Sequence, residues 1–283
     1  MAYWLLKVVL TPVFLLLWRV RVEGRAHIPP HGPAVLAANH QSFCDSLFLP
    51  LVVPRKITYL AKAEYFDSRK TAWFFRGVGQ IPIRRGGGKE SERALETAKD
   101  ELAAGRLIAV YPEGTRSLDR LVHRGRTGVA RLSRECGVAV IPVGIAGTVD
   151  VQPVGRRILR PWRTVTVRFG EPMRMEPAPD PSDPAVGHDH AQCRAFTDAL
   201  MQEIARLSGS PYVDEYIAPR TAGPADAAAG PADAAAGLAD AANGSGYAPD
   251  GSGYAPDGSG YAPDGSSSDA QARDRSTARR HPS

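Results

Sequence analysis

Cysteine is sparse in this chain of 283 residues, and the three present, Cys44, Cys136 and Cys193, are scattered singly. An odd set with no CxxC pair gives no disulfide framework and makes a reducing compartment the default. Lysine is scarce as well, at six of the 35 basic residues, so arginine carries most of the positive charge. The glycines at 86–88 run into Lys89 and Glu90; without a G-K-[ST] ending they are not a Walker A loop. Aromatics amount to 7%. Basic residues gather at predicted strand ends with no interleaved aromatics or recognition helix, which argues against a nucleic-acid partner. Metal-ligand spacing is missing too: His188 and His190 of "GHDHAQC" fall in a Pro/Asp-rich stretch, and no metal site is expected.

A hydrophobic run long enough to cross a bilayer is also missing. The most apolar stretch, "YWLLKVVLTPVFLLLW" (3–18), is broken by Lys7 and Thr11. Sixteen helical residues at about 1.5 Å each reach about 24 Å, short of a roughly 30 Å hydrocarbon core, and Pro12 would kink a single span. No small-residue cleavage site follows, so a signal peptide is not expected. A segment lying in one leaflet fits better, with Lys7, Arg19 and Arg21 reaching lipid phosphates. The competing reading is a buried core helix. Residues 1–18 are expected to be a membrane-associating segment, peripheral or monotopic, at the cytoplasmic face of the cell membrane.

At the other end, aliphatic residues almost vanish from about Pro219 onward. "GPADAAA" occurs twice and decays to "GLADAAN", and "GSGYAPD" then occurs three times. The period of seven has no a/d apolar pattern and each unit carries Gly or Pro, which excludes a coiled coil. Such units bury too little surface to offset ordering entropy, so 219–283 is expected to be a disordered tail. Its five Arg and eight Asp carry −3 of the chain's overall +5, leaving about +8 on residues 1–218. A basic body suits anionic partners.

Within 19–218, apolar runs and amphipathic stretches alternate. Strands are predicted at 19–23, 34–38, 57–61, 80–83, 107–111, 139–145 and 164–169, and helices at 45–53, 69–76, 89–104, 127–136 and 190–207. In 89–104, Ala94, Leu95, Ala98 and Leu102 share one face while Glu and Lys fill the other. This alternation predicts an α/β fold with a mainly parallel central sheet flanked by helices. Ligands of such sheets bind at the carboxyl ends of strands. The unusual polar residues fall there.

"LAANHQSFCDSLF" (36–48) places Asn39 and His40 directly after one strand and Asp45 at the start of the next helix. His and Asp five apart on one helix would face apart, so the two must meet across the strand-to-helix turn. There Asp45 can accept the Nδ1 proton of His40 and leave Nε2 as a general base. The plainer alternative is an N-cap beside a loop histidine. "YPEGTRS" (111–117) follows the strand 107–111, with Glu113 and Arg116 at one strand end. Arg116 could hold a phosphate bidentately; the alternative is a turn with a surface ion pair. Arg84 and Arg85 at the end of "GQIPIRR", and Arg126 at a predicted helix start, also suit an anion.

In order and spacing, "NHQSFCD", "GQIPIRR", "YPEGTRS" and "VIPVGI" resemble the four blocks of the 1-acylglycerol-3-phosphate acyltransferase family, over about residues 20–175. "AKAEYF" (61–66) is similar to its Lys-x-Glu stretch, which brings in Lys62. The resemblance makes 19–218 the acyltransferase domain, His40 the general base and Asp45 its orienting partner. Glu113, Gly114, Thr115 and Arg116 then match the block that engages the phosphorylated acceptor, and Arg85 the basic residue ending the second block. Asn39, Lys62, Arg84 and Arg126 are further candidates. Arg84 departs from the family's frequent acidic or small residue, and Tyr111 replaces a frequent Phe, a change expected to be neutral. The implied reaction moves a fatty acyl group from acyl-CoA or acyl-ACP to the free hydroxyl of 1-acylglycerol 3-phosphate, giving phosphatidic acid in phospholipid biosynthesis. No metal or redox cofactor is implied. The partners are a membrane lipid surface, a lysophospholipid and the thioester donor. Alternatives are glycerol 3-phosphate or another lysophospholipid as acceptor, hydrolysis by the same His/Asp pair, or a non-catalytic adaptor that binds anionic lipid.

Overall fold

Every strand expected from the sequence forms, with ends shifted by a residue or so. In chain order they are β1 (Arg19–Glu23), β2 (Ala34–Ala38), β3 (Ile57–Lys62), β4 (Ile81–Ile83), β5 (Leu107–Val110), β6 (Val122–His123), β7 (Ala139–Ala146), β8 (Thr164–Phe169) and β9 (Tyr212–Val213). The helices are α1 (Ala2–Leu17), α2 (Asp45–Val52), α3 (Lys89–Ala103), α4 (Gly128–Cys136), the single turn α5 (Thr148–Val151) and α6 (His190–Ser208). This computed structural model describes residues 2–62, 72, 80–83, 89–156, 158–176 and 190–218. Arg84, Arg85, His188, the tail 219–283 and all of the predicted helix 69–76 but residue 72 lie outside the described residues.

Seven strands form one sheet in the order β1-β8-β7-β2-β5-β3-β4. From β7 to β4 all neighbours are parallel, whereas β8 runs antiparallel to β7 and carries β1 with it. The expected parallel sheet thus has a reversed two-stranded flank. The carboxyl ends of β2, β3, β4, β5 and β7 consequently share one edge. Sequence periodicity did not show the second ribbon, in which β6 pairs with β9, because each strand has only two residues.

β2 lies at the centre, and all five of its residues are buried, as a parallel strand covered on both faces requires. Its side chains alternate between two cores. Leu36 and Ala38 join the layer that also contains Phe14, Trp18 and Phe48, while Val35 and Ala37 join Leu95, Leu132 and Ile204 on the other face. Helices α1 and α2 therefore cover one face, and α3, α4 and α6 the opposite one. His40 has the same parity as Leu36 and Ala38.

One side of α1 is buried: Phe14, Trp18 and Phe48 of α2 form an aromatic cluster with centroids 4.8–5.6 Å apart. Trp18 Nε1 also donates to the Arg160 carbonyl at 2.8 Å. The other side exposes Trp4, Leu5, Val8, Val9, Val13, Leu15 and Leu16. Among the described residues, no helix is long and apolar enough to cross a membrane.

Candidate active site

β2 is a rigid post, and the chain turns sharply at its carboxyl end. Asn39 fixes this turn by extending the β2–β7 ladder with a side chain. Its Nδ2 donates to the Ile145 carbonyl at 2.9 Å, and its Oδ1 accepts from the Ile145 amide at 2.8 Å. His40 comes next and is fully buried. Its Nδ1 lies 3.0 Å from Asp45 Oδ2, on the first residue of α2. The amides of Gln41 and Ser42 donate to the same oxygen, each at 2.8 Å. Asp45 is thus an acceptor throughout, which puts the imidazole proton on Nδ1 and leaves Nε2 as the basic nitrogen. The N-cap alternative is not met, since Cys44 holds the cap position without a side-chain cap bond and Asp45 instead accepts from amides of the preceding turn.

The other carboxylate oxygen, Oδ1, accepts from Thr148 Oγ1 at 2.5 Å. Thr148 follows β7 and opens α5, so the segments after two neighbouring strands, β2 and β7, converge on one charge. Gly147 makes this possible with a φ of +86°, and a Cβ there would lie 2.1 Å from the Thr164 carbonyl oxygen.

β5 supplies the roof and the clamp. Tyr111 stacks on His40 with centroids 3.9 Å apart and planes 9° from parallel, and its hydroxyl lies 2.7 Å from Ser46 Oγ. Glu113 is buried, and its two oxygens accept from the amides of His40 at 3.0 Å and His123 at 3.2 Å. The alternative reading of a surface ion pair fails for this residue. Burial pushes the Glu113 carboxyl up to about 8, against the downward pull of those two amides and of His40. Gly114, at φ +83°, turns the chain so that its amide reaches the Tyr111 carbonyl at 3.0 Å. The Ser117 amide then donates to the His40 carbonyl at 2.8 Å, which closes the loop over the turn.

Thr115 and Arg116 are half-buried on this loop. Arg126 is tied to it through its amide, which donates to the Pro112 carbonyl at 2.9 Å. It lies two residues before α4 rather than on it. Lys62 ends β3 on the same sheet edge; its backbone alone is described. The structure therefore brings together His40, Asp45 and Glu113 through direct contacts, with Asn39 anchoring the turn to Ile145 and with Gly114, Thr115, Arg116 and Arg126 in or bonded to one loop. Cys44, inside the same turn, is buried, and burial followed by the Asp45 charge pushes its thiol up to about 12. Among the described residues, no group of three or more His, Cys, Asp or Glu could hold a metal ion.

Residues 19–146 match the family model described as Acyltransferase. A 1-acyl-sn-glycerol-3-phosphate acyltransferase of Chlamydomonas reinhardtii is 31% identical over 152 residues, which cover 53% of this chain and 46% of that protein. A lyso-ornithine lipid O-acyltransferase of Pseudomonas aeruginosa is 32% identical over 136 residues, covering 48% of this chain and 50% of the relative. The crystal structure of the 1-acyl-sn-glycerophosphate acyltransferase PlsC from Thermotoga maritima superposes with a TM-score of 0.53 at 26% identity. It covers 70% of this chain and 76% of that one. Residues 19–146 are thus similar to an acyltransferase domain, and their relatives include 1-acyl-sn-glycerol-3-phosphate acyltransferases. The chain spans about half the length of the curated relatives it matches.

Sequence reasoning missed Thr148, just beyond the matched residues, and did not foresee the contacts that Tyr111 makes. Thr148 lies just past the fourth block, in "GIAGTVD", and the Gly-Thr pair at a strand end was the available signal. Tyr111 adds a hydroxyl that bonds to α2 and a ring that covers the imidazole. Neither role is visible until β7 and β5 are known to flank β2.

Proposed function

We propose that this chain transfers a fatty acyl group from acyl-CoA or acyl-ACP to the free hydroxyl of 1-acylglycerol 3-phosphate, releasing phosphatidic acid. The observation that carries this reading is the buried His40–Asp45 pair at 3.0 Å, set at the carboxyl edge of the sheet in a domain whose relatives bear that activity's name. In the step, His40 Nε2 takes the hydroxyl proton as the oxygen attacks the thioester carbonyl. The tetrahedral intermediate then expels the thiolate, which receives the proton back from His40. Asp45 stabilises the imidazolium formed in between, and its own position is held by two amides and Thr148. A positioned base supplies about 10²–10⁴-fold. Holding the acceptor in place must supply much of the rest. Arg116, with Arg85 and Arg126, takes the acceptor phosphate, and Thr115 adds a hydroxyl beside it.

In this reading the enzyme lies in one leaflet at the cytoplasmic face, where lysolipid and thioester meet, and the exposed apolar side of α1 supports it. No resident metal or redox cofactor enters this scheme. A second reading, another lysolipid as acceptor, is favoured by the likeness to the lyso-ornithine lipid enzyme, which is as close as that to the Chlamydomonas relative. Transfer of a labelled acyl chain from acyl-CoA or acyl-ACP in detergent micelles tests both, with 1-acylglycerol 3-phosphate and lyso-ornithine lipid as parallel acceptors. Acceptor-dependent product that disappears in His40→Ala is expected. Thioester cleavage without acceptor, or product that survives His40→Ala, would overturn the scheme.

A further inference from the structure

A cavity of about 300 Å³ opens between α1, α2 and β1, away from the Asp45 carboxylate and its partners. Its walls are apolar, formed by Phe14, Leu15, Val20, Val22, Phe48 and Leu51. Two cations, Lys7 and Arg25, belong to the lining, and no acidic residue does. Leu15 and Val22 are also part of the exposed apolar surface, so the cavity is continuous with the outer side of α1. That combination fits an amphiphile with an anionic head and a hydrocarbon tail, at the lower end of the size range of ligand pockets.

Three details support an occupant rather than an idle packing gap. Lys7 Nζ donates to the Val53 carbonyl, which accounts for one of its three protons and leaves the others for an anion. Burial, and after it the Arg25 charge, pushes the Lys7 ammonium down to about 8, a cost that a nearby anion would offset. Thr11 Oγ1 lies buried in the lining and has no hydrogen-bond partner among the described residues.

We propose that this cavity binds one anionic phospholipid of the bilayer, with its phosphate between Lys7 and Arg25 and an acyl tail along Phe14, Val20 and Phe48. The proposal rests on the reading that α1 lies in a leaflet. Phe48 is three residues beyond Asp45 on α2, so the bound tail packs on the helix that also carries the orienting carboxylate.

The full chain, in mild detergent, is examined by native mass spectrometry after addition of phosphatidylglycerol or phosphatidylcholine. The same protein is floated with vesicles of phosphatidylcholine alone and with an admixture of phosphatidylglycerol. One retained phosphatidylglycerol is expected, with phosphatidylcholine bound about tenfold or more weakly. Lys7→Gln with Arg25→Gln should abolish that preference. Arg19→Gln with Arg21→Gln, an equal loss of charge outside the cavity, should keep it. Val20→Phe, which fills the cavity, should reduce retention in chains that keep the wild-type melting temperature. Equal retention of the two lipids, or a preference that survives the Lys7/Arg25 change, overturns the site while leaving membrane association intact. Failure of the wild type to float with either vesicle overturns the leaflet reading, and the site falls with it.

Discussion

Thr148 Oγ1 and Asp45 Oδ1 lie 2.5 Å apart although 103 residues separate them in sequence. The contact welds the start of α5 to the start of α2 at the point where the orienting carboxylate must not move. Thr148→Val keeps the shape and removes the donor, leaving Asp45 held by the His40 ring and the Gln41 and Ser42 amides. Activity is expected to fall less than in Asp45→Asn, for which a loss of about 10²–10⁴ in kcat is expected. Thr148→Val should also lower stability by about 1–3 kcal/mol, since one oxygen of a buried charge loses its partner. Acyl-transfer rates for the three proteins, with urea midpoints beside them, check the order. A Thr148→Val rate as low as that of Asp45→Asn would give Thr148 a share in the chemistry itself.

Tyr111 holds His40 by two separable contacts, a ring stack and a hydroxyl bond to Ser46 on α2. Tyr111→Phe removes only the second, worth about 0.5–1.5 kcal/mol. Tyr111→Ala removes both and opens a void, at a cost of about 3–5 kcal/mol. A near-wild-type rate in the first and a strongly reduced rate in the second, measured below their unfolding temperatures, is the expected pattern.

Cys44 stands between His40 and Asp45 in sequence, which invites a covalent acyl-enzyme route. Its burial and its thiol pKa, pushed up to about 12, speak against a thiolate nucleophile. Cys44→Ala is expected to retain activity within a few-fold of wild type, and prior treatment with iodoacetamide should leave the rate unchanged. Loss of activity in both experiments would instead place an acyl intermediate on Cys44.

The His40–Asp45 pair was legible because its geometry is decided within six residues: a strand end, a turn and a helix start leave few other arrangements. The same holds for the amphipathic side of α3. What escaped are contacts that depend on strand order. Asn39 bridges to Ile145, and Thr148 reaches Asp45, only because β7 lies beside β2. Short-range reasoning likewise paired Glu113 with Arg116, whereas its carboxylate is spent on two amides brought in by the turn after β2 and by β6. The mainly parallel sheet was legible, but not that β8 is the strand that runs against its neighbour, since no local pattern states the direction in which a strand returns.

Glu113 gives the fold a pH dependence of definite sign. Between the ordinary carboxylate range and about 8, the folded chain keeps a proton that the unfolded chain has released. Stability therefore falls as pH rises through that window and levels off above it. Urea midpoints for the wild type should drop between about pH 5.5 and about pH 8.5, whereas Glu113→Gln, which cannot ionise, should drop less over the same interval. Its starting stability will be lower, because its amide nitrogen must face one of the two N–H groups. Parallel profiles for the two proteins would show that Glu113 is already ionised in the fold at the lower pH.

α1 buries one side in the fold and exposes an apolar side that the proposal gives to the membrane, and substitutions should separate the two. Leu5 and Leu16 are 68% and 72% exposed, whereas Phe14 is 9% exposed and packed on Trp18 and Phe48. Full burial of a leucine is worth about 1.5–3 kcal/mol, so Leu5→Asn with Leu16→Asn should weaken vesicle binding by about tenfold or more. The melting temperature should stay near that of wild type, because neither side chain contributes to the core. Phe14→Ala, by contrast, should cost about 3–5 kcal/mol of stability, and its effect on vesicle binding should follow only from unfolding. If the two asparagines lowered the melting temperature as much as Phe14→Ala, the exposed side of α1 would be packed against protein. The apolar stripe would then be an interface between chains rather than a foot in the leaflet.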